Sequence, residues 1–108
     1  MQGFQLTFFC QQDTRIGHER ADAWLIALCR SLGIGGVTVR ADVAGFGSAG
    51  RLHSAGFFEL GDQPMEITLV ASAAQADEVL ARLQQQHADL FYLKAAVEFG
   101  RTGGAAQG

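Results

Sequence analysis

Apolar and polar residues alternate from the start of the chain. Phe4, Leu6, Phe8 and Cys10 stand against Gln5, Thr7, Phe9 and Gln11. A period of two predicts a strand with one buried face. A polar turn follows at residues 12–17, and from about His18 the period lengthens. Ala21, Trp24, Leu25, Leu28 and Leu32 recur at helical spacing, and Gly33 stands where the helix would be capped. Val37, Val39, Ala41 and Val43 alternate in a second strand. Phe57–Leu60 can resume extended structure, and Gly61–Pro64 reads as a turn. Met65, Ile67, Leu69 and Ala71 mark a third strand. Ser72 with Gln75 three residues on is a capping-box pattern, followed by Ala76, Val79, Leu80 and Leu83 at helical spacing. The last strand is expected to bury Phe91, Leu93, Ala95, Val97 and Phe99. It would turn Leu90, Tyr92, Lys94, Ala96 and Glu98 to the other side.

The order β-α-β-β-α-β predicts an α+β, ferredoxin-like sandwich: one mostly antiparallel sheet with both helices on one face. The uncovered face would carry Gln5, Thr7, Phe9, Thr38, Arg40, Asp42, Glu66, Thr68, Val70 and the Leu90–Glu98 row. That mixture suits either a solvated sheet or a subunit interface. Residues 1–100 form a single domain on this reading, and residues 101–108 have no pattern and are expected to fray.

Composition narrows the function. Eight Lys+Arg against 11 Asp+Glu give a formal net charge of −3 in 108 residues. A counterion-release nucleic-acid binder needs the opposite balance. No apolar run approaches the roughly 20 residues of a membrane span, and the N-terminus shows no export signal. The expected location is therefore cytoplasmic, with Cys10 and Cys29 as buried reduced thiols. The three histidines and two cysteines lack metal-ligand spacing, so no metal is expected. No nucleophile or acid/base pair stands out with a partner, which argues against an enzyme.

The segment 45–56 holds four glycines in twelve positions. Gly45-Phe46-Gly47 directly ends a predicted strand, where glycines let backbone amides face an anion. Arg51 and His53 follow, adding a planar cation and a titratable ring. The set suits a phosphate or carboxylate ligand. The same glycines also fit a plain hairpin loop, and a structural oligomeric adaptor with no small-molecule ligand is the alternative. A ferredoxin-like enzyme is a third reading. Lys94 is read as a further ligand contact or as half of a subunit-crossing ion pair with Glu98.

Gly45-Phe46-Gly47, then Arg51, His53, Leu60, Asp62, Pro64 and Glu66, then Tyr92-x-Lys94 and Val97-Glu98-Phe99, together resemble the short PII-like proteins grouped as domain of unknown function 190. The resemblance spans residues 3–100 and includes the opening Phe4–Phe9. It implies a homotrimer with open sheet faces turned to the threefold axis. It also implies a regulatory role, an adenine nucleotide as the ligand class, and a membrane transport protein as the regulated partner. In the wider superfamily Gly-Phe-Gly is often followed by arginine. Here Ser48 takes that place and Arg51 comes later, and residues 85–89 hold no lysine or arginine.

Overall fold

A computed structural model describes residues 1–41 and 64–103. Strand β1 spans Gln2–Gln11, β2 Arg15–Ile16 and β3 Glu19–Arg20. Helix α1 spans Ala21–Ser31, and strands β4 and β5 span Val37–Ala41 and Pro64–Ala71. Helix α2 spans Ala73–Gln85 and strand β6 Phe91–Glu98. The main sheet runs β4-β5-β1-β6 and every adjacent pair is antiparallel. This is the expected ferredoxin-like topology. Asp42 and Val43 of the expected second strand, and the Phe57–Leu60 segment, lie outside the described residues.

The core forms where periods two and 3.6 meet. Leu6, Phe8 and Cys10 of β1 and Met65, Ile67, Leu69 and Ala71 of β5 are buried against the helices. They meet Ala21, Leu25, Leu28 and Cys29 of α1 and Ala76, Val79 and Leu83 of α2. Trp24 packs at the margin of this cluster, as its place in the helix stripe predicts.

Helix ends follow local chemistry. The Ser72 hydroxyl accepts from the Gln75 amide at 3.2 Å, and the Gln75 side chain accepts from the Ser72 amide at 3.0 Å. The capping box is complete. Gln75 Nε2 also donates to the Leu32 carbonyl at 3.1 Å, tying the end of α1 to the start of α2. Gly33 takes φ +76°, and the Ile34 and Gly33 amides donate to the carbonyls of Cys29 and Arg30. That is a Schellman closure. Helix α2 closes the same way, with Ala88 and His87 donating to Leu83 and Gln84. There His87 adopts φ +55°, a region that favours glycine.

Two expectations need correcting. Helix α1 starts at Ala21 rather than near His18, because residues 15–20 form the small β2–β3 hairpin. Gly17 turns it with φ +63°, and Ile16, only 2% exposed, anchors it in the core. The second correction concerns β6. Its register places Tyr92 opposite Phe8, Lys94 opposite Leu6 and Ala96 opposite Phe4. Opposed residues in an antiparallel pair share a face, so Tyr92, Lys94, Ala96 and Glu98 lie on the helix side. Phe91, Leu93, Ala95 and Val97 lie on the other face. Both rows of β6 contain large apolar residues, so alternation carries no directional information. Pairing with β1 decides it, and a shift of one residue inverts every side chain.

Candidate functional site

The antiparallel order brings four strand ends together. Gln11 pairs with Pro64, Ala41 with Met65, and Phe9 with Phe91. The end of β1, the end of β4, the start of β5 and the start of β6 therefore share one edge of the molecule. The described chain stops at Ala41 and resumes at Pro64, both at this end. Residues 42–63, which include the glycine-rich segment, join these two positions in the chain.

A groove of about 470 Å³ opens at the same end. It is lined by Phe9, Cys10, Gln11, Thr14, Asp89, Leu90 and Phe91. Thr14 is fixed by local bonds: its hydroxyl accepts from the Gln11 amide at 3.0 Å and its carbonyl from the Ala21 amide at 2.8 Å. Phe9 and Phe91 form a tilted pair with centroids 5.8 Å apart. The lining joins an aromatic wall to a carboxylate and a hydroxyl, a mix that holds a small ligand with an apolar body and a polar rim. Burial pushes the Cys10 thiol up to about 11, with the Asp22 charge adding to the effect. Burial alone does the same to Cys29. Both thiols are thereby held in their poorly nucleophilic form.

The face opposite the helices is divided. Its polar part spans β4, β5 and the middle of β1: the Thr7 and Thr68 hydroxyls lie 3.0 Å apart, Gln5 donates to Thr7 at 3.2 Å, and Arg40 reaches Glu66 at 3.5 Å. Glu66 is only 8% exposed. Its apolar part is β6 with the end of β1. Phe91 is 48% and Leu93 42% exposed there, beside Phe9. The corrected register thus makes this half more hydrophobic than the sequence pattern suggests.

Of the expected ligand residues, Gly45, Phe46, Gly47, Arg51 and His53 lie outside the described residues. Lys94 lies on the helix side. Its ammonium sits 3.6 Å from the Asp77 carboxylate of α2 and 4.3 Å from the centre of the Phe4 ring. Within the chain the acidic partner of Lys94 is Asp77. The groove residues Gln11, Thr14, Asp89 and Leu90 were missed, because only strand register reveals that they converge. Among the described residues no group of three His, Cys, Asp or Glu is arranged to hold a metal.

A family model, DUF190 (Uncharacterized ACR), matches residues 3–98. The chain belongs to the DUF190 family. No curated protein is significantly similar to it. Solved structures resemble it in fold. CPII from Thiomonas intermedia K12, bound to ADP, AMP and acetate, superposes with TM-score 0.63 at 16% identity, covering 93% of this chain and 90% of that one. The apo form of the same nitrogen regulatory PII-like protein gives TM-score 0.62 at 13% identity, covering 94% and 95%. A putative PII-like signalling protein from Thermus thermophilus gives 0.58 at 16%, covering 90% and 88%. This DUF190 protein therefore has the PII-like version of the ferredoxin-like fold. Among the described residues no helix is long and apolar enough to cross a membrane.

Proposed function

We propose that this DUF190 protein is a non-enzymatic, trimeric PII-like regulator. It binds a small anionic ligand, an adenine nucleotide, at clefts between subunits and signals to a protein partner through residues 45–56. One observation carries the reading. The glycine-rich segment is attached at the same sheet end as the groove lined by Phe9, Thr14, Asp89 and Phe91. In this reading the groove holds the apolar body of the ligand. Gly45, Phe46, Gly47, Arg51 and His53 are the residues we assign to the anion, glycine backbone amides and a planar cation being the chemistry it needs. Lys94 keeps its contact with Asp77. Ligand binding shifts the population of loop states, and the partner reads that shift. A membrane transport protein is the partner class the family resemblance suggests.

The apolar half of the face opposite the helices supports assembly. Exposed Phe91 and Leu93 beside Phe9 are the residues a subunit contact would cover. PII-like CPII, which shares this fold, was solved with ADP and bicarbonate, which makes adenine nucleotides the first ligands to test.

The test is thermal shift and calorimetry with ATP, ADP, AMP and cyclic nucleotides on the native protein and on Arg51→Ala. A ligand at 100 times its Kd adds about 2.7 kcal/mol to stability. The melting temperature should rise by several degrees, and Arg51→Ala should lose most of that rise. No response to any nucleotide would refute the ligand assignment. A pull-down that needs residues 45–56 and is indifferent to nucleotide would favour the adaptor reading.

A further inference from the structure

The β2–β3 hairpin sets two like charges against each other. Its register pairs Arg15 with Arg20 and Ile16 with Glu19. Opposed residues share a face, so both arginines project from one side of the hairpin, with Cβ atoms about 5 Å apart. Ile16 belongs to the core, and successive side chains of a strand alternate, so the arginine side is turned away from the core. Like charges directly opposite each other destabilise a ladder, and a ladder of two residue pairs has little else to offset them. Ile16 anchors the hairpin; the arginines do not.

Local bonds orient the pair. Arg15 Nη1 donates to the His18 carbonyl at 3.0 Å, and Arg20 Nη2 to the Asp22 carboxylate at 3.1 Å. A guanidinium carries five N–H donors, so these bonds do not exhaust either arginine. The Arg20 side chain is 53% exposed, and Arg15 is exposed as well. The hairpin also borders the groove described above. Thr14, which lines the groove, immediately precedes Arg15, and its carbonyl accepts from the Ala21 amide directly after Arg20. At the turn, a Cβ on Gly17 would lie 3.9 Å from the Gln86 carboxamide oxygen. The turn therefore abuts the close of α2, from which the chain runs on to Asp89 and Leu90 of the same groove.

We propose that Arg15 and Arg20 form a phosphate clamp at the rim of this groove, and that the clamp takes the phosphoryl groups beyond the first. This rests on the nucleotide reading above. The Asp89 carboxylate inside the groove repels phosphate, so the charged end of the ligand lies toward the rim, where the hairpin stands. Arg51 and His53, assigned to the anion above, suffice for one phosphoryl group, whereas a di- or triphosphate brings further negative charge. Two guanidiniums side by side match the several oxygens of a terminal phosphoryl group. The bound charge also relieves the opposition between the two arginines, which adds to the gain on binding.

Calorimetry with AMP, ADP and ATP tests the clamp on the whole protein, at one ionic strength and with divalent cations chelated, beside Arg15→Gln and Arg20→Gln. The native protein should bind ADP and ATP more tightly than AMP. Each variant should weaken ADP and ATP about tenfold or more and AMP by less than about twofold. Both side chains are exposed, so the variants should fold and keep the parent's ligand-free melting temperature. If ADP and ATP keep their lead over AMP in both variants, or have no lead in the native protein, the clamp is overturned and the nucleotide reading stands. A loss that is equal for AMP overturns the clamp too. A native protein that binds none of the three overturns both.

Discussion

Gly3 is the most closely approached of the described glycines, and its replacement by alanine is the sharpest test of the packing described above. A Cβ at Gly3 would sit 2.1 Å from the Ala71 carbonyl oxygen and 2.9 Å from both the Ala71 carbonyl carbon and the Phe99 ring. Ordinary contact begins at 3.4 Å. The chain turns from β5 into α2 directly over Gly3, so the obstruction is backbone rather than the end of a flexible side chain. Relief requires Ala71 to retreat by more than an ångström, and the neighbouring Phe4–Ala71 pairing and the Ser72 cap move with it. Overpacking of this kind costs about 1–3 kcal/mol, and a disturbed cap costs about 1 kcal/mol more. A total of about 3 kcal/mol is a large part of the 5–15 kcal/mol that stabilises a typical domain. At about 4–8 °C per kcal/mol, the melting temperature should fall by about 12–24 °C. The assay is thermal unfolding followed by circular dichroism, at matched protein concentration. Gly36→Ala is the control: nothing lies within 4 Å of a Cβ there, and the backbone is not left-handed. That variant should be neutral or slightly stabilising. A Gly3→Ala protein that melts within about 2 °C of the parent would refute the close approach of β5 to β1 at this end.

Three further outcomes follow from the geometry. His87→Gly should stabilise the protein by up to about 1 kcal/mol in urea unfolding, because glycine removes the cost of the left-handed position that closes α2; a destabilised variant would contradict that conformation. Cys10 and Cys29 each titrate near 11 when folded against an ordinary value of 9.0, so the native state holds more protons between those values. Stability is then fully present below about pH 9 and falls as pH rises toward 11, and a Cys10→Ala, Cys29→Ala double variant should show a flatter urea midpoint over that window; an identical slope would contradict the burial of the thiols. Lys94→Ala should cost about 0.5–1 kcal/mol in the native chain and less in a Phe4→Leu background, where the exposed pair with Asp77 remains but the ring beneath the ammonium is gone; an undiminished cost there would contradict the helix-side placement of Lys94.

The strands and helices with one apolar face were legible in the sequence. Strand β1, helix α1, strand β5 and helix α2 each alternate or recur cleanly, and Ser72 with Gln75 announced its own cap. Strand β6 misled because Phe91 and Leu93 on one face match Tyr92 and Ala96 on the other, leaving only pairing with β1 to set the direction. The β2–β3 hairpin was invisible because two-residue strands have no period; Ile16 is buried by tertiary placement. The role of Gly3 depends on Ala71, far away in sequence, and a sequence pattern has no access to such an approach. At the candidate site, the glycine-rich segment was legible as a motif. The convergence of Gln11, Thr14, Asp89 and Leu90 at one end of the sheet was not, since it follows from the register of β6 against β1.

The central claim is that copies of this domain associate through the apolar half of the sheet, which carries Phe9, Phe91 and Leu93. Sedimentation velocity on the native protein beside Leu93→Glu tests it most directly. The native protein should sediment as one species of about three times the 11.5 kDa chain mass, and Leu93→Glu as a folded single chain. A native protein that sediments as a single chain across the micromolar range, or a Leu93→Glu protein that keeps the native mass, would contradict it.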